Sequence, residues 1–304
     1  MRTSARNSSS GAAVTISLGV DTLCWHMPLE AGLISVEDVF RDAAVLGAPM
    51  VALNLHHTRE RSVDEHRALA VVAGDLGLRV LAQGDFLGSP RLGDEPLAGV
   101  DRIRGWLERA SALASPTLRL ASGFYRVELA ARPDLIEEER RYVTAVLLDA
   151  RDDAEDAGVR LVMENHSDFL VTEYEQIVHE VGTDHVGVFL DLINPIMTFD
   201  DLFRAIEVLA PLARNGHVRD FELNSVHQPD RYHRRGFDVR YRYPGEGVAP
   251  LAALVDALTA TVGDRPYDLL IEGLDSNADT LDQHDRLATC MPLVRDLLDR
   301  AAAA

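Results

Sequence analysis

Lysine is missing from this 304-residue chain: all 30 basic residues are arginine. Without a side-chain amine, a Schiff-base aldolase and a pyridoxal-phosphate enzyme are excluded. A P-loop is excluded as well, because its grip on phosphate uses a lysine. Cysteine is nearly missing. Cys24 and Cys290 are the only two, too few for a disulfide scaffold or a thiolate zinc cluster. No apolar run approaches the roughly 18 residues that a membrane span needs, so no membrane partner is expected. The first residues, Met1 to Gly11, are polar and serine-rich and lack the apolar centre of a signal peptide. Residues 1–14 are therefore expected to form a disordered tail on a cytoplasmic protein. Positive charge is also short, with 49 acidic residues against 30 basic ones and a net charge of −19. A field of that sign repels phosphate backbones, so nucleic acid is not an expected partner.

Short apolar runs alternate along the chain with longer amphipathic ones. The apolar runs are Thr15–Val20, Met50–Leu53, Arg79–Ala82, Thr117–Ala121, Arg160–Met163, Val186–Leu190, Ala213–Val218 and Asp268–Ile271. Their brevity and their valine, isoleucine and leucine content suit strands of a parallel sheet covered on both faces. Between them, Ser35 with Asp38, Ser62 with Glu65 and Thr172 with Glu175 have the spacing of helix capping boxes. Gly47, Gly77, Gly158 and Gly182 stand where helices would end before strands. A last helix is predicted over about Leu281 to Ala301. Eight strands in strict alternation with helices predict a single-domain (β/α)8 TIM barrel over residues 15–304. No Gly-x-Gly-x-x-Gly follows the first strand, which disfavours a dinucleotide fold. Phe221 to Val248 reads as one long irregular segment, and loops of that length usually line a site.

The chemistry gathers at the ends of the late strands. The fifth runs into Glu164-Asn165-His166, the sixth into Asp191, the seventh into His217-Val218-Arg219-Asp220 and the eighth into Glu272. One acid at a strand end usually caps a helix, and a lone histidine is usually a satisfied core residue. Four metal-competent side chains on four successive strand tips converge on one barrel mouth. Three carboxylates and an imidazole suit a divalent ion such as Mn²⁺, ahead of Co²⁺ or Mg²⁺, better than structural zinc.

Glu164-Asn165-His166, Asp191 followed by Asn194, His217-Val218-Arg219-Asp220, Pro244-Gly245-Glu246-Gly247 and Ile271-Glu272 resemble the xylose-isomerase-like sugar isomerase and epimerase family. The resemblance covers about Thr15 to Ala301. It implies a metal-dependent isomerase or epimerase that acts on a ketose or related polyol through an enediolate. Glu164 and Glu272 would bind the metal and act as the acid/base pair, with Asp191 and His217 completing the ligand set. His166, Asn194 and Arg219 would contact substrate. Many relatives have a histidine at the Asn194 position, and asparagine cannot titrate near neutral pH. A lyase using the same proton abstraction, such as an inosose-type dehydratase or the barrel subunit of a 3-oxo-glycoside C-deglycosidase, is the alternative. The resemblance also admits a homo-oligomer or a small partner subunit.

Weaker positions flank this set. His26 after the first strand and His56 and His57 after the second can serve as sugar contacts or simply pack their loops. His26 and His57 are taken as further substrate residues. Arg126 reads either as an anion contact or as an ion pair. Tyr232, Tyr241 and Tyr243 read either as a stacking surface for an aromatic group or as loop packing.

Overall fold

The computed structural model describes residues 16–226, 236–274 and 282–303; the expected tail, Tyr232 and Leu281 lie outside them. Eight parallel strands close into a barrel: β1 (Ile16–Asp21), β2 (Met50–Asn54), β3 (Arg79–Phe86), β4 (Thr117–Ala121), β5 (Arg160–Glu164), β6 (Val186–Asp191), β7 (Ala213–Val218) and β10 (Tyr267–Ile271). They pair in chain order, and β10 returns to pair with both β7 and β1. The long helices α2 (Val36–Val45), α3 (Val63–Asp75), α4 (Pro96–Ala112), α5 (Pro133–Asp156), α6 (Val171–Val181), α7 (Leu202–Leu209), α8 (Leu251–Val262) and α9 (Gln283–Ala303) separate and cover them. No helix among the described residues is long and apolar enough to cross a membrane.

Both serine capping boxes form, at Ser35 with Asp38 and Ser62 with Glu65. The third does not. Helix α6 starts one residue before Thr172, and the Glu173 carboxylate accepts the Leu170 amide at 2.7 Å. Glu173 also accepts from Arg126 at 2.6 Å, so Arg126 is an ion-pair residue that ties the turn after β4 to the first turn of α6. Gly47, Gly77 and Gly158 follow their helices in the left-handed region, with φ of 71°, 73° and 66°. Gly182 differs, with φ 111° and ψ 124°.

The described parts of Phe221 to Val248, residues 221–226 and 236–248, are not wholly irregular. They carry an antiparallel pair that begins one residue earlier, β8 (Asp220–Ser225) and β9 (Phe237–Arg242), with Phe221 opposite Tyr241 and Leu223 opposite Val239. The alternation Phe221, Leu223, Ser225 and Phe237, Val239, Tyr241 carries the period-two signal of strands. Interleaved charges and aromatics disguised it as a loop.

The core has two layers. Most apolar side chains lie between the sheet and the helices. A small inner cluster fills the barrel: Met50, Ala52, Leu81, Val162, Phe189 and Leu270. Alternate residues of a barrel strand face the interior. Two positions beyond Leu81, Val162, Phe189 and Leu270 stand Gln83, Glu164, Asp191 and Glu272, so the site rests on that apolar plug. At β7, a side chain on Gly216 would place its first carbon 1.9 Å from the Leu190 carbonyl oxygen. Glycine there lets β7 press against β6 immediately before His217.

Candidate active site

The four strand-tip residues converge. His217 Nδ1 lies 3.3 Å from Glu164, 3.8 Å from Asp191 and 3.7 Å from Glu272. One ligand atom each from Glu164, Asp191 and His217 fall within 4.8 Å of one another. All four side chains are buried. Asn165 holds the arrangement from behind. Its amide donates to the Asp191 carbonyl at 2.9 Å and its oxygen accepts the Asp191 amide at 2.7 Å, locking β6 to β5. Oδ1 of Asp191 accepts the amides of Ile193 and Asn194, both at 2.7 Å. Its other oxygen has no hydrogen bond. Arg219 Nη2 stands 2.8 Å from it as a charge contact only.

Three participants were not singled out from sequence. Asp21, at the tip of β1, faces His217 Nε2 at 2.9 Å. Gln83 on β3 donates to Asp21 at 2.6 Å. Arg119 on β4 pairs with Glu164 inside the barrel. A signal for each existed: an acid and an amide beyond the ends of the first and third apolar runs, and an arginine inside the otherwise apolar Thr117–Ala121.

Burial opposes ionisation of Glu164, but Arg119 and His217 beside it hold its carboxyl well below the usual range. Glu272 moves the other way. Burial, reinforced by Glu164 and Asp191, outweighs Arg219 and His217 and raises it. His217 is disfavoured as a cation by burial, yet Glu272, Asp21 and Glu164 lift it to about 10. Buried Asp21, Glu164, Asp191 and Glu272 face the buried guanidiniums of Arg119 and Arg219. With His217 neutral, as a metal ligand must be, two negative charges are left over; without an ion the proton held by His217 offsets part of that charge. One divalent cation balances it. The oxygens of Asp191 and Glu272 without hydrogen bonds, together with His217 Nδ1, are the donors such an ion would take. His217 is oriented by a carboxylate on its far nitrogen, as metal-bound histidines usually are.

Around this centre, Asn194 Oδ1 accepts from Arg219 at 2.6 Å and from Tyr241 at 2.9 Å. The Arg219 guanidinium stacks on the Tyr241 ring, 3.7 Å from its centroid. Tyr243 is not available for stacking on a ligand. It is buried, its hydroxyl donates to the Cys24 carbonyl at 3.1 Å, and its ring packs where a Gly273 side chain would otherwise go. Half-buried His166 lies between Phe86 and Tyr125, with ring centroids 5.8 and 6.0 Å away, and its Nδ1 has no hydrogen-bond partner. Asp220 has a different task from its neighbours in the His217–Asp220 run. Its carboxylate accepts the amides of Phe221, Gly245, Gly247 and Ala249 at 2.8–3.1 Å, pinning the Pro244–Gly247 turn. His26 and His57 meet each other at 2.9 Å in the loops after β1 and β2.

The sequence profile described as "Xylose isomerase-like TIM barrel" matches residues 30–280. No curated protein matches the chain. Solved structures agree in fold. The zinc-bound IOLI protein superposes with a TM-score of 0.72 at 15% identity, covering 94% of this chain and 99% of that one. D-psicose 3-epimerase, in the presence of D-fructose, gives 0.71 at 18% identity, covering 93% and 99%. The probable 3-DHS dehydratase AsbF of Bacillus anthracis gives 0.67 at 16%, covering 92% and 99%.

Proposed function

Because this chain belongs to the xylose isomerase-like TIM barrel family, we propose that it is a divalent-metal-dependent isomerase or epimerase acting on a ketose or related polyol. One observation carries the reading. Glu164, Asp191 and Glu272 all approach Nδ1 of the buried His217, at 3.3, 3.8 and 3.7 Å.

Glu164, Asp191, His217 and Glu272 would hold the ion, with Mn²⁺ favoured by the oxygen-rich set over Co²⁺ or Mg²⁺. Its contribution when bound is Lewis acidity towards the substrate's ketone and neighbouring hydroxyl. One glutamate takes the carbon proton, leaving an enediolate, and the other returns a proton from the opposite face. Arg119 keeps Glu164 ionised in its buried position. Arg219 and Asn194, fastened to each other and to Tyr241, supply a fixed set of donors and acceptors for substrate hydroxyls. His166 stands with them.

A second reading is a lyase. His166 Nδ1 is buried and unpartnered, which suits an imidazole that protonates a departing hydroxyl or glycosyl group. One structural neighbour is named as a probable dehydratase. Solvent-deuterium exchange with a panel of ketoses, inososes and 3-oxo-glycosides tests both readings. Exchange with an epimeric or isomeric product supports the first and exchange with elimination supports the second. Absence of exchange with metal-loaded protein across the panel overturns both.

A further inference from the structure

Among the described residues, one other group of metal-competent side chains converges. Ligand atoms of His26, Glu30 and His57 all fall within 4.8 Å of one another. The group lies in the loops that leave the carboxyl ends of β1 and β2, the same end of the barrel as the central site. His26 opens and Glu30 closes the short helix α1 (His26–Glu30), a four-residue separation that puts both side chains on one face. His57 comes from the turn Leu55–Thr58 after β2.

The geometry is more than loop packing. His26 Nδ1 and His57 Nε2 point at each other across 2.9 Å, two nitrogens competing for one proton. Two imidazoles on a tetrahedral ion, with bonds of about 2.0–2.1 Å, sit about 3.3 Å apart, so a few tenths of an ångström of opening admits one. The far nitrogen of His57 is already engaged. Nδ1 lies 3.1 Å from Thr22 Oγ1, which also accepts the Asn54 amide at 3.0 Å. Proton donation from Nδ1 to that oxygen leaves Nε2 bare, which is the tautomer a metal requires. His56 Nε2 also lies near the cluster, 3.5 Å from Glu30. Arg59 holds the Glu30 carboxylate from the solvent side at 3.1 Å.

We propose that His26, Glu30 and His57 form a second divalent-metal site at the rim of the barrel, separate from the Glu164 centre. Two imidazoles and one carboxylate match the three-ligand set of an open zinc site. The rim should therefore take Zn²⁺ or Co²⁺ in preference to Mn²⁺ or Mg²⁺, the reverse of the carboxylate-rich centre. The proposal does not depend on the reaction proposed above, and its readout is bound metal rather than turnover.

The test is titration of the metal-free full-length protein with Co²⁺, following visible absorption and counting bound ions after gel filtration. Wild type should bind two Co²⁺ per chain, and His57→Gln or Glu30→Gln should bind one. Glu164→Gln should keep the rim ion with its tetrahedral spectrum. Loss of the Thr22 contact in Thr22→Val should weaken the rim site by about 10–100-fold. Glu30 is exposed, so Glu30→Gln keeps the measurement available if a histidine variant does not fold. A single Co²⁺ in wild type that survives His57→Gln and Glu30→Gln overturns the proposal, as does a second ion unaffected by either change.

Discussion

Asp21 and His217 meet at 2.9 Å with neither side chain exposed, although 196 residues separate them. The contact fixes which nitrogen of His217 faces the three carboxylates. Asp21→Ala should therefore weaken divalent-metal affinity by about 10–100-fold while the barrel stays folded. Isothermal titration with Mn²⁺, alongside circular dichroism, measures this. An unchanged affinity would remove Asp21 from the site.

Glu164→Gln and Glu272→Gln preserve shape but cannot carry a proton. Each should lower turnover by at least about 10²–10⁴-fold, the usual contribution of a positioned acid or base. Stopped-flow or deuterium-exchange rates check it, and near-normal activity in either variant would contradict the assigned pair.

Removing a bound divalent ion should destabilise the protein, because an ion that binds only the folded state stabilises it and its place among the carboxylates is then filled only by the proton on His217. At a free metal concentration of about 100 times Kd, the gain over chelator-treated protein should be about 2.7 kcal/mol. Urea unfolding with and without EDTA gives the difference. Identical curves would mean that the folded protein binds no ion there.

Arg119 is the only guanidinium that pairs with Glu164 among the described residues. Arg119→Met leaves that buried carboxylate with only His217 and Asn194 beside it, at a cost of up to about 3–5 kcal/mol. Denaturant midpoints at pH 7 measure the loss. The loss should be smaller with a divalent cation than with chelator, by more than the stabilisation that the cation gives the wild type.

Glu37 pairs with Arg61 through two contacts, at 2.7 and 2.9 Å, tying the start of α2 to the loop before α3. The Arg61 hydrogen bond, against the opposing effect of partial burial, holds the Glu37 carboxyl below its usual 4.5. A depressed folded-state value means that the stabilisation is present above pH about 4.5 and is lost as pH falls through the lower folded value. Glu37→Gln should cost about 0.2–1 kcal/mol at pH 7 and make acid unfolding less steep below pH 4.5. Thermal melts from pH 3 to 7 follow it.

Asp220 shows how a motif can be legible while the task of one member is not. The run His217-Val218-Arg219-Asp220 read as one functional unit. In the structure His217 and Arg219 face the centre, while Asp220 accepts four amides and builds the turn. The same divide separates Tyr241, stacked on Arg219, from Tyr243, packed under Gly273. These roles depend on which way a chain turns after its strand, and that follows from contacts with distant segments.

By itself the sequence determined the barrel and the four strand-tip residues that converge in it, because both are written in local patterns. Strand and helix periodicities repeat over a few residues, and a strand's last inward position is two steps beyond its apolar plug. Only the tertiary structure decided the partners: Asp21 for His217, Arg119 for Glu164, Tyr241 for Arg219, and His26 for His57. Each of those pairs comes from different strands or their loops. Closure and stagger of the whole sheet set their separations, and no short stretch of sequence encodes that geometry.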